Sequence, residues 1–270
     1  MRIHALTTGT VSLKRSFLFP GAGARRQLDL FLPGPWMEPA PIHCWAIEHE
    51  GRLLLVDTGE SAGARDIPFA RFHVGAADEL PGALAAAGLS LGDVSEVILT
   101  HHHGDHVDGL PHVHAPVRMS ATEIAFAKQA FPRIMRRVLR QPLPPGFAPD
   151  PMTFDDGSFG AFARSRKLSD DGRVVAVETP GHTPGHISVI CVDDNENHVM
   201  LAGDASDTLE HLRARRADAV APDPKVHVAT LALILEHCAK HPTVYLPSHD
   251  PESASRLAGS VTVALSAAAA

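Results

Sequence analysis

Aromatic side chains are scarce in this chain of 270 residues: tyrosine occurs once, at Tyr245, and tryptophan twice. A reaction resting on a tyrosine has a single candidate, and Tyr245 sits in an apolar run that reads as core. Cysteine is also sparse. Cys44, Cys191 and Cys238 are odd in number and far apart, which argues against a disulfide framework and predicts reduced thiols in a cytoplasmic protein. No stretch approaches the roughly 18 apolar residues of a membrane span. Met1-Arg2-Ile3-His4 does not open a charged start followed by an apolar run of secretory type. Basic residues are in deficit, 24 against 31 acidic, leaving −7; this argues against nucleic acid or an anionic membrane as the main partner.

Histidine is what the chain has in plenty. Four histidines and two aspartates crowd into Thr100-His101-His102-His103-Gly104-Asp105-His106-Val107-Asp108-Gly109. Imidazole and carboxylate are ligands that divalent metals such as zinc prefer, and crowding them into one turn is costly unless a cation neutralises and orients them. The apolar stretch Val94 to Leu99 reads as a buried strand, so the ligands emerge where a strand ends. In extended chain His101, His103 and Asp105 share a side and His102 takes the other. His106 breaks that parity and joins the site only if the chain turns, which Gly104 and a helix starting near Asp105 would supply. Two ligand directions from one loop suggest two metals.

Three further segments repeat the pattern of apolar strand, sharp stop and ligand-type residue. They are Thr179-Pro180-Gly181-His182-Thr183-Pro184-Gly185-His186 after a strand at Val174 to Val177, Leu201-Ala202-Gly203-Asp204-Ala205, and Tyr245-Leu246-Pro247-Ser248-His249-Asp250.

Taken in order, His101-x-His103-x-Asp105-His106, His182, Asp204 and His249 resemble the dinuclear ligand set of the metallo-β-lactamase superfamily, and Leu54-Leu55-Val56-Asp57-Thr58-Gly59 resembles its first motif. Within it, the chain is most similar to the N-acyl homoserine lactone hydrolases. The resemblance implies a four-layer αββα sandwich of α/β class, filling one domain over residues 1–270. It implies two Zn2+ per chain, one held by His101, His103 and His182, the other by Asp105, His106 and His249, with Asp204 bridging. Asp57 and His186 would then support the ligands rather than bind metal, and a homodimer is a family-level expectation.

The implied chemistry is opening of a lactone ring by a hydroxide that bridges the metals, with Asp105 passing a proton to the leaving oxygen and Asp204 completing the catalytic pair. One position departs from the family. Where the best-known lactone hydrolases resemble this chain but carry a tyrosine, Asp207 stands, and an anionic carboxylate cannot donate a hydrogen bond to a substrate carbonyl. A thioesterase, an aryl ester hydrolase and an organophosphate hydrolase remain alternatives on the same two metals, and a persulfide dioxygenase-like oxidoreductase with one iron is a further one. Asp204 stands where β-lactamases resemble one another in having cysteine or serine.

Elsewhere the patterns predict a hairpin of His43–Glu48 and Arg52–Asp57 through Glu50-Gly51, and a helix from Asp78 to Ala87 stopped by Gly88. Ser120-Ala121-Thr122-Glu123 predicts a capping box opening a helix that Pro132 kinks or interrupts. Strands near Val174, Ile187 and Val199 precede a helix from Lys225 to Cys238. Residues 16–36 form a candidate apolar flap, with ordinary packing the competing expectation. Residues 140–159 hold five prolines and form a candidate excursion near the catalytic mouth. Arg133, Arg136, Arg137 and Arg140 share roughly one helical face, read as solvated or as a contact for an anionic group. His112, His114, His211, His227, His237 and His241 read as surface or packing residues, and Ala267 to Ala270 as a frayed tail.

Overall fold

The structure is a computed structural model, and it describes residues 1–23 and 25–264. The run Ala267 to Ala270 lies outside the described residues. Strands β1 (Arg2–Leu13), β2 (Ala40–His49), β3 (Arg52–Val56), β4 (Ala70–His73), β5 (Val94–Leu99), β6 (Val117–Ser120) and β7 (Asp150–Met152) form one sheet. Its order is β4-β1-β2-β3-β5-β6-β7. Strands β8 (Ser165–Lys167), β9 (Val174–Glu178), β10 (Ile187–Val192), β11 (His198–Gly203) and β12 (Thr243–Pro247) form the other, in the order β12-β11-β10-β9-β8.

The alternation of side chains along a strand decides which layer each residue joins. Trp45, Ile47, Leu54, Val56 and Ile98 pack against Val189, Leu201, Val244 and Leu246, forming the core between the sheets. Their neighbours in sequence, Cys44, Ala46, Leu53, Leu55, Val97 and Leu99, face outward and are covered by Leu80, Ala83 and Leu84 of the helix Leu80–Ala86. On the far side Val177, Met200 and Tyr245 meet Leu231, Ile234 and Cys238 of the helix Pro224–Lys240. Strands buried on both faces read as continuous apolar runs, and the four layers are the αββα sandwich that the resemblance implies. Among the described residues no helix is long and apolar enough to cross a membrane.

Local signals are answered in detail. Glu50 and Gly51, with φ of 50° and 69°, turn β2 into β3, the positive pair that a tight two-residue hairpin requires. Gly88, at φ 74°, ends the helix Leu80–Ala86. Tyr245 is fully buried, its hydroxyl 2.9 Å from Ser206 Oγ, so it is core. The capping box is a correction. A helix does begin at Ala121, but Ser120 makes no side-chain cap. Glu123, fully buried, is engaged across the molecule instead. The interruption also falls earlier than Pro132: the first helix ends at Ala127, and Pro132 lies in the first turn of the next, Ala130–Leu139, where a missing N–H is harmless.

Because Ile98 is wholly buried between the sheets, Ile98→Ala is expected to lower stability by about 3 kcal/mol. The measurement is the urea midpoint at unchanged slope; a loss under about 1 kcal/mol would mean the sheets are loosely packed there.

Candidate metal centre

Each ligand-type residue leaves the carboxyl end of a strand. His101 follows β5, Asp57 follows β3, His182 follows β9, Asp204 follows β11 and His249 follows β12. The chain turns at Gly104 into the short helix Gly104–Val107, which carries Asp105 and His106. That turn brings His106, on the other side by parity, to the same place as His101 and His103.

The donor atoms converge in three groups: His101, His103 and His182; His101, His106 and Asp204; and Asp105, His106 and His249. His103 Nδ1 lies 3.0 Å from His101 Nε2 and 2.9 Å from His182 Nε2. Three imidazole nitrogens packed so closely match donors about 2 Å from one tetrahedral zinc. Asp204 Oδ1 is 3.3 Å from His106 Nε2, while its Oδ2 is 3.5 Å from both His182 Nε2 and His249 Nε2. Asp105 Oδ2 is 3.3 Å from His249 Nε2. Among the described residues, His106 Nε2 and Asp204 Oδ1 are buried with no hydrogen-bond partner, the state of donor atoms shaped for a cation. The residues present therefore fit a pair of divalent ions.

Partners behind the cluster choose which nitrogen faces it. Thr100 Oγ1 donates to Asp57 Oδ2, so it can accept from His101 Nδ1 at 3.1 Å, leaving Nε2 as the lone pair. His106 Nδ1 donates to Asp57 Oδ2 at 2.8 Å, and His249 Nδ1 to the Pro41 carbonyl at 2.9 Å. Asp57 also accepts the Thr100 N–H at 2.7 Å and holds φ 63°, a left-handed conformation that Asp tolerates better than most residues. His182 Nδ1 donates to Asp218 Oδ2 at 2.8 Å.

His186 is tied up at both nitrogens. Ser188 Oγ donates to the Ala202 carbonyl, Thr179 Oγ1 donates to Ser188, and His186 Nδ1 donates to Thr179. Its Nε2 is left to accept the backbone N–H of Asp204 at 3.0 Å. Burial, then the charge of His182, pushes His186 down to about 3, so it stays neutral. His102 turns away from the cluster, and its ring and its backbone N–H donate to Glu123 Oε1.

Charges inside the cluster are strongly coupled. Burial holds His101 and His103 well below the ordinary imidazole range, the protonation state a ligand needs. Burial also opposes charge on His182, but Asp218 outweighs it and lifts the group to about 9. Burial would raise Asp105, yet His106 and His249 hold it at about 2, an ionised carboxylate. Asp207 differs from the anionic group first expected: burial, followed by Asp218 and Asp204, raises it to about 7, so near neutrality it carries a proton part of the time. Its Oδ2 lies 3.5 Å from His211 Nδ1.

Above the cluster opens a cavity of about 730 Å³, with His103, Asp105, His182, Asp204 and His249 at its polar end. Phe17, Leu30, Phe31, Phe69, Phe126 and Phe131 line its apolar part. Residues 16–36 contribute in two ways: Phe17 and Leu30 pack into a small core with Val11, Ile42 and Phe69 and also wall the cavity. From residues 140–159, Gln141, Pro142 and Leu143 reach the wall.

A family model described as the metallo-beta-lactamase superfamily matches residues 37–249. The chain belongs to the metallo-β-lactamase superfamily. It is similar to the N-acyl homoserine lactonase AttM of Rhizobium radiobacter, 23% identical over 269 residues and covering 94% of each chain. It is 30% identical over 143 residues to a probable metallo-hydrolase, YflN, of Bacillus subtilis (strain 168), covering 48% of this chain and 51% of that one. Among solved structures, it resembles an N-acyl homoserine lactone hydrolase with N-hexanoyl-L-homoserine bound at its catalytic metal centre. The TM-score is 0.71, with 21% identity and 94% of each chain covered. The dizinc lactonase AidC gives a TM-score of 0.64 at 18% identity, with 92% of this chain and 87% of that one covered.

Two supporting residues of this superfamily member escaped sequence reasoning. Asp218 follows no strand and matches no motif; it is found only because its Oδ1 accepts the N–H groups of Val220 and Ala221 while Oδ2 takes His182. Glu123 accepts from His102, from Thr183 Oγ1 at 2.8 Å and from the Gly185 N–H at 3.0 Å, clamping two ligand loops together. A Cβ on Gly185 would run into the Glu123 backbone, which explains the glycine in that turn. Asp218→Asn is expected to keep the fold by circular dichroism and weaken metal binding about 10- to 100-fold in titrations against a chromogenic chelator. Unchanged affinity would remove Asp218 from the support of His182.

Proposed function

We propose that this chain is a dinuclear zinc hydrolase that opens lactone rings, with N-acyl homoserine lactones the leading substrate. The observation that carries the proposal is the joining of two things in one cavity: converging imidazole and carboxylate donors at one end, and an apolar chamber walled by phenylalanines at the other. His101, His103 and His182 would hold one ion, Asp105, His106 and His249 the second, and Asp204 both. When bound, two zinc ions supply a hydroxide nucleophile at neutral pH and polarise the ester carbonyl.

The remaining work falls to the chain. Asp105, ionised and 3.3 Å from His249, can take a proton and return it to the alkoxide that leaves when the ring opens. The apolar walls bury an acyl tail and exclude water from it. Asp207 is not among the residues lining the cavity, so its proton has no direct line to a substrate carbonyl in this conformation. Full-length similarity to AttM supports the lactone over the other esters.

Metal analysis followed by assays on lactones, thioesters, aryl esters and phosphotriesters tests the proposal. Two zinc ions per chain with lactone turnover foremost is the expected result; a dizinc form with no lactone opening would overturn it. Each added buried methylene of the acyl tail is expected to lower KM roughly fourfold until the chamber is full. Asp204→Asn is expected to leave a folded protein with fewer than two metals per chain and about 1,000-fold less turnover. Two metals and unchanged turnover in that variant would contradict the bridging role.

A further inference from the structure

The helix Ala130–Leu139 is amphipathic in a direction its own core does not use. At about 100° per residue, Phe131, Ile134 and Val138 fall in one stripe and Arg133, Arg137 and Arg140 in the stripe beside it. A helix packed on a core hides its apolar stripe, but here Phe131, Ile134 and Val138 are 66%, 58% and 66% exposed. The helix Arg25–Phe31 and the residue after it add Leu28, Phe31 and Leu32, at 55%, 46% and 45%. Phe31, Phe131 and Val138 all line the cavity above the metal ligands, so the two helices contribute to one apolar rim at its mouth. An exposed patch of this kind marks an interaction surface.

The arginine stripe borders an adjoining hollow of about 1000 Å³, which shares Arg136, Gln141, Pro142 and Leu143 with that cavity. Arg65, Arg133, Arg136, Arg137 and Arg140 all line it. Arginine ion pairs among the described residues lie elsewhere, at Arg52, Arg118, Arg164, Arg166, Arg173 and Arg256. Among the described residues the hollow's own carboxylates make no ion pair with the stripe: Glu79 lies 3.3 Å from His112 instead, and burial raises Asp108 to about 6. Arg65, Arg133, Arg137 and Arg140 therefore stand without an ion pair beside exposed apolar side chains, while Arg136 donates to the Ala127 carbonyl, in a chain whose total charge is −7. That total averages over every face and conceals the local excess.

We propose that this rim docks on an anionic lipid surface, with the exposed side chains of the two helices entering the boundary between headgroups and acyl chains and the arginines meeting the lipid anions. An interfacial helix needs an apolar face flanked by cationic side chains, and Ala130–Leu139 supplies both. A second copy of this chain would have to bring carboxylates opposite four arginines in register with an apolar patch, whereas an anionic bilayer offers both without register. Docking would set the cavity mouth against the layer in which acyl-chain esters concentrate; this consequence rests on the lactonase proposal, while docking itself does not.

The test is sedimentation of the metal-loaded full chain with phosphatidylcholine vesicles, with and without about one quarter phosphatidylserine. Binding is expected only with phosphatidylserine, and salt should weaken it. Replacing Arg133, Arg137 and Arg140 together by Gln is expected to weaken binding roughly 100-fold, about fivefold for each arginine. Leu28→Ser with Ile134→Ser, positions that do not line the cavity, should weaken it at least about tenfold through lost apolar burial. Both variants should keep the circular dichroism spectrum and the hydrolysis of a short, water-soluble lactone. No phosphatidylserine-dependent binding at low salt would overturn the proposal, and so would equal binding by both variants. An equilibrium dimer that Leu28→Ser with Ile134→Ser splits, in a protein that ignores vesicles, would overturn it in favour of a second copy.

Discussion

The carboxylate of Asp204 lies within 3.3 to 3.8 Å of four imidazole nitrogens, those of His106, His182, His249 and His101. All five side chains are buried. Without a cation such a set is satisfied only by protons: Asp204 and its neighbouring carboxylates outweigh burial and lift His106 and His249 well above the ordinary imidazole range. With cations bound, the same closeness becomes coordination. The demands of this cluster account for much of what surrounds it, including the left-handed Asp57, the buried Glu123 and the glycines of the Thr179–His186 turn.

Two sheets facing each other bring the carboxyl ends of β3, β5, β9, β11 and β12 to one edge. A ligand at a strand end inherits the rigidity of a strand buried on both faces, so its main chain can be placed with little freedom. The side chains still need orientation. Asp57, Asp218 and the Pro41 carbonyl supply it by accepting from the Nδ1 of His106, His182 and His249 in turn. Glu123 does not touch the cluster, yet it joins the loop carrying His101 and His103 to the turn carrying His182. The helices outside the sandwich build the chamber, and their exposed sides form its rim.

Much of this was legible in the residues. Val94 to Leu99, Val174 to Val177 and the apolar run before Gly203 read as strands because near-continuous Val, Ile and Leu leave few other solutions. The hairpin at Glu50-Gly51 and the stop at Gly88 were legible because positive φ selects glycine. Other features were not. β1 carries Thr7-Thr8-Gly9-Thr10 in its middle, and its register with β2 slips there, so no apolar period announces it. Ser120 to Glu123 has a local pattern that a distant demand overrode. Asp218 became visible only when its loop was folded against His182, and the unneutralised arginines only when the two hollows could be seen to adjoin.

By itself, the sequence determined the candidate ligands, their spacing along the chain and the strands that deliver them, since these depend on neighbours a few residues apart. Only the tertiary structure decided which nitrogen of each histidine faces inward, that His186 has no free lone pair, that Glu123 clamps loops rather than capping a helix, and that Asp207 is buried beside other carboxylates. Hydrogen-bond partners and local charge come from residues tens to hundreds of positions away, and no local pattern encodes their approach.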